Sequence, residues 1–173
     1  LDHLVGEDAQ RELTRRFIAG HGPASDRDLA RWSPLTLSQV RSALDDLSGV
    51  LEHVDVDGHR LWFDPRMPSR TSRAHPAYLL STFDEVSLTY RDTGFPRRDA
   101  TAPRARLLSE AGGGIVVVGD EDVGVWKRVV TAKAVRVTVW GDTPLDQGDR
   151  DAISTAAGTF AAFLERPFEL DIA

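Results

Sequence analysis

The chain has 173 residues, 41% of them hydrophobic and 28% charged, which is typical of a globular protein with one large or two small domains. It has no cysteine, which excludes disulfides, thiolate metal sites and cysteine nucleophiles, and no apolar run approaches the ~20 residues that cross a bilayer. The net charge of −6 argues against nucleic-acid binding through bulk positive charge.

The start of the sequence lacks the basic and then apolar pattern of a signal peptide, so we expect a cytoplasmic protein with no membrane contact. The first residue is Leu1 rather than methionine, and we expect the chain to be either processed or a piece of a longer protein. No phosphate-binding loop, Gly-x-Ser-x-Gly or His-Glu-x-x-His motif occurs, and we predict no cofactor.

Three helices are predicted in residues 1–66. Apolar residues at helical spacing place the first at about Asp8 to Ala19. Capping boxes then open the second and third helices, which are expected to end near Trp32 and Leu47. The capping pairs are Ser25 with Asp28, and Thr36 with Gln39.

A β-hairpin is predicted directly after the third helix. Asp57-Gly58 is the residue pair that a two-residue type I′ turn favours, because both positions take positive φ. Its strands are predicted at Val50–Val56 and His59–Phe63. Three helices and a hairpin are the order of a winged helix-turn-helix domain, which we assign to residues 1–66.

The third helix is predicted to have an apolar face for the core and a polar face for solvent. The apolar residues are Leu37, Val40, Leu44 and Leu47, and the polar ones are Ser38, Arg41, Ser42, Asp45 and Asp46. Arg41 is a candidate for a DNA groove and Arg60 for the wing. The two aspartates would repel phosphates, so packing of this unit on a partner domain stays an equal alternative.

Residues 67–76 are rich in proline, serine and arginine and predict a linker. Residues 77–173 then predict an α+β domain built on an antiparallel, β-barrel-like sheet with one long helix. Expected strands lie near Val86–Tyr90, on both sides of Gly119–Asp122, at Val135–Val139 and in the final Pro167–Ile172. Thr143 is expected to cap the long helix, with Pro144 in its first turn and Asp146 completing the capping box.

A basic stretch in the middle of the chain is the strongest nucleic-acid candidate. Residues 67–110 carry 7 basic against 5 acidic side chains, whereas both flanking segments are net acidic. Guanidinium groups suit phosphate oxygens. The candidate ligands are Arg91, Arg97, Arg98, Arg104 and Arg106. The alternative is a solvated loop in which Asp92 and Asp99 neutralise these arginines.

Other polar clusters are weaker candidates. Asp84-Glu85 would suit acid–base chemistry if buried together, but such carboxylates more often cap a turn or pair with an arginine. The polar residues at the hairpin tip, from His53 to His59, include metal-ligand types, but polar side chains are ordinary at an exposed tip, and we predict no metal site. Three glycines at 112–114 are expected to free the turn into the following hairpin.

Several short motifs together resemble the AlkZ/YcaQ-like winged-helix DNA glycosylase family. They are the stretch "GHGPASDRDLARWSPLTLSQVRSALDDL", a hairpin ending in "LWF", the segment "YLLSTFDEVSLTYRD", and a Gly-x-Trp-basic-basic strand at Gly124–Arg128. The resemblance covers nearly the whole chain. It implies the C-terminal half of such a protein, with the last winged helix and the barrel.

The resemblance implies DNA binding rather than chemistry for this piece. Family members use a Gln-x-Gln or Gln-x-Asp pair with an apolar centre, located in their N-terminal half. Gln10-Arg11-Glu12 and Gln39-Val40-Arg41 do not match, and Gln147-Gly148-Asp149 has glycine at its centre. We therefore predict no catalytic residue here, and expect duplex DNA and the N-terminal winged-helix domains of the same protein as partners.

Overall fold

The computed structural model describes residues 4–68, 76–90, 94–99, 101 and 113–173. The chain forms two compact units: Leu1–Thr71 with Glu85–Gly94, and Ser72–Asp84 with Phe95–Ala173. We call these the first and the second unit. The first unit thus includes a segment that lies beyond the predicted linker at 67–76. None of the described helices is long and apolar enough to cross a membrane.

The first unit is built from helices and one hairpin. Its elements are α1 (Gly6–His21), α2 (Asp26–Trp32), α3 (Leu37–Asp46), β1 (Glu52–Val56), β2 (His59–Phe63) and α4 (Glu85–Thr89). The first five confirm the predicted order of three helices and a hairpin. Both predicted capping boxes are present, at α2 and α3.

The core of the first unit lies where the apolar faces of α1, α2 and α3 meet the hairpin. Its buried residues are Phe17, Ile18, Ala24, Leu29, Val40, Leu44, Leu47, Leu51 and Trp62. Three of the four residues predicted for the apolar face of α3 are members, and the predicted polar face is exposed. The helical period therefore orients α3 as the sequence indicates.

The hairpin is antiparallel, with Val56 opposite His59 and Glu52 opposite Phe63. Asp57 and Gly58 have φ values of 49° and 79°. Both values are positive, as a type I′ turn requires. The predicted turn is confirmed.

The strand predicted at Val86–Tyr90 is wrong, since these residues belong to helix α4 and the position after it. Tertiary contacts stabilise this short helix. Arg31 donates to the Thr89 carbonyl at 2.9 Å, and the Tyr90 hydroxyl donates to the His21 carbonyl at 2.5 Å. Burial raises the pKa of Tyr90 to about 12, with smaller effects from Asp28 and Glu85. Such contacts outweigh the β preference of Val and Tyr.

The second unit is a five-stranded sheet with one long helix. Its elements are β3 (Ala77–Leu79), β4 (Gly113–Val118), β5 (Glu121–Val130), β6 (Val135–Gly141), α5 (Gln147–Phe163) and β7 (Phe168–Ile172). The strands lie in chain order, and all neighbours are antiparallel except β6 and β7. The prediction of an antiparallel sheet was therefore wrong for the β6–β7 pair. These strands are parallel because the chain crosses over through α5 between them.

The described strands form an open sheet, with β3 and β7 at its two edges. Helix α5 packs on one face through Ile153, Ala157 and Ala161, against Val135, Val137 and Val139 of β6 and other buried residues of β4 and β5. The molecule is of the mixed α+β class. Its long helix begins differently from the prediction: Asp146, not Thr143, is the N-cap, and it accepts a hydrogen bond from the backbone of Asp149.

The glycines at 113 and 114 have another role than the predicted one. Both lie within β4 rather than in a turn. A Cβ on Gly114 would meet the Leu80 carbonyl oxygen at 1.9 Å, and one on Gly113 would meet the Trp126 carbonyl oxygen at 2.2 Å. These glycines are needed because other backbone segments cross the strand closely.

Candidate nucleic-acid interface

Two of the predicted DNA ligands, Arg41 and Arg60, lie at one cleft of the first unit. The cleft has a volume of about 430 Å³ and lies between α3 and the hairpin. Its lining residues are Asp26, Arg41, Leu44, Asp45, Asp55, Gly58, Arg60 and Trp62. We call it the α3–hairpin cleft.

Each of these arginines has an acidic partner in the cleft. Arg41 Nε donates to Asp26 Oδ2 at 2.6 Å, and Arg60 Nε donates to Asp55 Oδ1 at 3.2 Å. The Arg41 side chain is 58% exposed and that of Arg60 is 56% exposed. Water therefore reaches both guanidinium groups.

The exposure of these pairs decides how easily they can exchange partners. An exposed ion pair contributes about 0–1 kcal/mol, because water screens the charges and the side chains lose entropy. A phosphate that replaces Asp26 or Asp55 as acceptor thus meets little resistance. Arg41 and Arg60 remain available as anion ligands despite their partners.

The cleft is nevertheless not basic. Asp26, Asp45 and Asp55 place three carboxylates beside two guanidinium groups. The exposed face of α3 adds Ser38 and Ser42, which suit hydrogen bonds to phosphate or base edges, but also Asp46. Contact with a polyanion here would depend on a few directed hydrogen bonds, with Asp45 opposing it.

Arg97 and Arg98 of the second unit are in a different situation. Arg97 pairs with Asp142 at 3.4 Å, and Arg98 binds both Glu121, at 2.9 Å, and Asp149. The carboxylates of Asp142 and Asp149 are only 3% exposed. These contacts raise the pKa of Arg98, first through the hydrogen bonds to Asp149.

Breaking a buried pair costs about 3–5 kcal/mol, because a charge is left in a poorly solvated site. Arg97 and Arg98 therefore act as counterions that hold the segment before β4 to the sheet. They are poor candidates for phosphate ligands. Arg91, Arg104 and Arg106 lie outside the described residues, so the assembly of a five-arginine patch stays a prediction.

The structure separates Asp84 and Glu85, the pair considered for acid–base chemistry. Asp84 lines a largely apolar cleft of about 840 Å³ in the second unit, with Trp126, Arg128 and Phe160 among its neighbours. Glu85, in the first unit, accepts a hydrogen bond from Trp32 and contacts His21. In the described ranges no three His, Asp or Glu side chains are close enough to hold a metal ion.

Sequence reasoning missed the acidic partners of the cleft. The Asp55–Arg60 pair could have been predicted from the sequence, because a two-residue turn at Asp57-Gly58 fixes the register that places these residues opposite each other. The partner of Arg41 is 15 positions away, in α2, and no local pattern indicates it. The Arg128 guanidinium lies 5.6 Å from the ring centre of Trp126, two positions away on the same strand face, and 5.7 Å from that of Phe160, which no local pattern indicates.

The family model described as DNA glycosylase AlkZ-like matches residues 2–163. The chain belongs to the AlkZ-like DNA glycosylase family. Its fold is similar to that of Streptomyces sahachiroi DNA glycosylase AlkZ, with a TM-score of 0.71 at 20% sequence identity. That likeness covers 100% of this AlkZ-like chain and 48% of AlkZ, so the chain spans about half the length of the relative. No curated protein matches the chain.

The family match confirms that the sequence motifs indicated the right family, the AlkZ-like DNA glycosylases. The predicted α+β class agrees with the helices and sheet of this chain, whose fold is similar to that of AlkZ.

Proposed function

We propose that this chain is a DNA-contacting, non-catalytic portion of an AlkZ-like glycosylase. In this proposal α1, α2, α3 and the hairpin form a winged helix-turn-helix, and the α3–hairpin cleft meets the backbone of duplex DNA. The main support is the convergence of Arg41 and Arg60 on one cleft, each in an exposed pair that a phosphate can displace. The likeness to half of AlkZ supports a further half as partner.

Two of the three glutamines of the chain are used in local structure, which supports a non-catalytic role for those two positions. Gln39 closes the capping box of α3 by accepting from the Thr36 backbone at 2.9 Å. Gln147 is the first residue of α5 and donates to Asp151 at 2.8 Å. Each has a local structural role at a helix start. The catalytic glutamine pair that the resemblance implies would then lie in another part of the protein.

The proposal is tested by changing Arg41 and Arg60 together to Gln. Binding of a short duplex is measured at several salt concentrations. Log affinity falls as log salt rises, and each lost phosphate contact reduces the steepness of this negative slope by about 0.9. We therefore expect weaker binding and a slope smaller by roughly 1.8 in the double variant, for every DNA sequence alike.

A matched control removes two exposed, paired arginines that lie elsewhere. Arg16 pairs with Glu12 at 2.7 Å and is 72% exposed, and Arg136 pairs with Glu169 at 2.9 Å and is 63% exposed. Arg16→Gln with Arg136→Gln changes the net charge equally and should leave the salt slope unchanged. Equal loss in both double variants would reject the cleft as the interface.

A gain of binding provides the opposite test. Asp45 lies in the cleft and has no role in the pairs of Arg41 and Arg60. Asp45→Asn removes a repulsive charge and should strengthen DNA binding several-fold at low salt. If affinity is unchanged, phosphates do not approach this cleft.

A second candidate function is packing on a partner domain. It is favoured by the acidic excess of the cleft and by exposed apolar side chains on the hairpin, where Val54 is 45% and Val56 is 44% exposed. Under this alternative the Asp45→Asn change leaves DNA affinity unaltered, whereas Val54→Ser weakens association with the partner domain.

A further inference from the structure

Among the described residues, the edge of the hairpin that β1 forms is unpaired. In the described part of the chain, β1 pairs with β2 alone, and all five β1 residues are exposed. The outer edge of β2 is occupied at Trp62, where Ala24 and Trp62 exchange backbone hydrogen bonds of 3.0 and 2.8 Å. An open strand edge is a template for pairing with another strand.

The turn determines which backbone groups this edge offers. In an antiparallel pair, hydrogen-bonded and non-hydrogen-bonded positions alternate. Val56 and His59 flank the two-residue turn as a hydrogen-bonded pair, so Val54 also directs its N–H and C=O groups toward β2. His53 and Asp55 therefore direct their N–H and C=O groups outward.

We propose that β1 pairs antiparallel with β1 of a second copy of this chain, about a two-fold axis through Val54. In this register His53 of one copy lies opposite Asp55 of the other, and the two residues exchange both backbone hydrogen bonds. The two-fold axis repeats the contact on the other side of Val54. The strand sequence Glu52-His53-Val54-Asp55-Val56 is thus complementary to itself.

One face of the joined sheet would carry an alternating polar row. Within one copy Asp55 binds Arg60 at 3.2 Å, and the ring centres of His53 and Trp62 are 4.9 Å apart. Pairing extends these contacts into the row Arg60, Asp55, His53 of the second copy and Trp62 of the second copy. Each carboxylate then has a cation on one side and an imidazole donor on the other.

The opposite face would bury apolar surface. Val54 and Val56 point to this face and are 45% and 44% exposed in the single chain. Pairing brings the two Val54 side chains together across the axis and Val56 diagonally beside Val54 of the second copy. Natural edge strands are usually protected by charged side chains, proline or a bulge. β1 has no lysine, proline or bulge, and of its two charged residues, Glu52 and Asp55, the second gains a partner in this register.

The dimer should be weak. A five-residue strand buries well below the ~1,000 Å² that stable interfaces reach. We therefore expect reversible dimers that appear only as the concentration rises toward about 1 mM, where a millimolar complex is half formed. Sedimentation equilibrium of the chain without DNA measures this directly.

His53→Pro is the first discriminating variant. Proline removes an N–H that points outward, so the hairpin keeps its own hydrogen bonds while the edge loses a donor. We expect this variant to sediment as a monomer at every concentration, with an unchanged circular dichroism spectrum.

A charge exchange tests the register without altering the backbone. In His53→Asp, the new carboxylate of each copy lies opposite Asp55 of the other copy. Two pairs of like charges then face each other directly, which should weaken the dimer at least about tenfold. His53→Asp with Asp55→His restores complementary pairs and should recover the dimer. Only pairing in this register predicts recovery.

Three results would overturn the proposal. One is a wild-type chain that stays monomeric up to about 1 mM. The others are a dimer that persists in folded His53→Pro, and a charge exchange that fails to recover the dimer lost in His53→Asp. Since no DNA is present, these outcomes are independent of the DNA-binding proposal.

Discussion

The distinction between Arg41 and Arg98 leads to a quantitative prediction about stability. Both arginines bind an aspartate, but Asp26 is 24% exposed whereas Asp149 is 3% exposed. Arg98→Ala removes the hydrogen bonds to Asp149 and a further pair with Glu121. Arg41→Ala removes one contact that water replaces.

The magnitude follows from burial. Loss of one partner of a buried pair costs about 3–5 kcal/mol, and we take the lower end, about 3 kcal/mol, because the Arg98 side chain is itself 23% exposed. Loss of an exposed pair costs about 0–1 kcal/mol. We therefore expect Arg98→Ala to lower the free energy of unfolding at least three times as much as Arg41→Ala.

Urea unfolding monitored by circular dichroism measures both values. Because the chain has two units, the transition is also followed by tryptophan fluorescence, and the free energies are compared only if the probes coincide. Arg98→Gln is a useful companion, since it retains hydrogen-bond donors but not the charge. Equal destabilisation by Arg98→Ala and Arg41→Ala would refute the reasoning that separates structural arginines from recruitable ones.

Three further predictions concern the fold. Gly114→Ala should destabilise the second unit by about 1–3 kcal/mol in thermal unfolding, because its Cβ would meet the Leu80 carbonyl at 1.9 Å, whereas Gly49→Ala, with nothing within 4 Å, should lack this cost. The raised pKa of Tyr90 predicts a component of tyrosinate absorbance near pH 12 that Tyr90→Phe abolishes. Because the pKa is higher in the folded state, the protonated Tyr90 hydroxyl stabilises the fold fully below about pH 10, and this stabilisation declines as the pH rises toward 12. Ser25→Ala should destabilise the first unit by about 1 kcal/mol, and Ser25→Gly by less, since glycine is tolerated at a helix N-cap.

The apolar faces and helix starts of the first unit were readable from the sequence because their signals are local. The capping boxes join residues three positions apart, and the apolar face of α3 repeats with the helical period. The start of α5 shows the limit of such signals. Thr143 and Asp146 both have cap chemistry, and the local pattern favoured Thr143 although Asp146 is the N-cap.

What the sequence alone determined about this protein is the order of three helices and a type I′ hairpin, because each of these signals spans only a few residues. Only the tertiary structure decided what the arginines do. Arg98 binds a buried carboxylate 51 positions away, so the Arg98 charge stabilises the fold and is poorly available to a ligand. Arg60 has its partner 5 positions away in solvent, so its charge stays available. The sequence gives the charge of each side chain. The solvent exposure of each ion pair, which sets its strength, arises only when distant segments pack together.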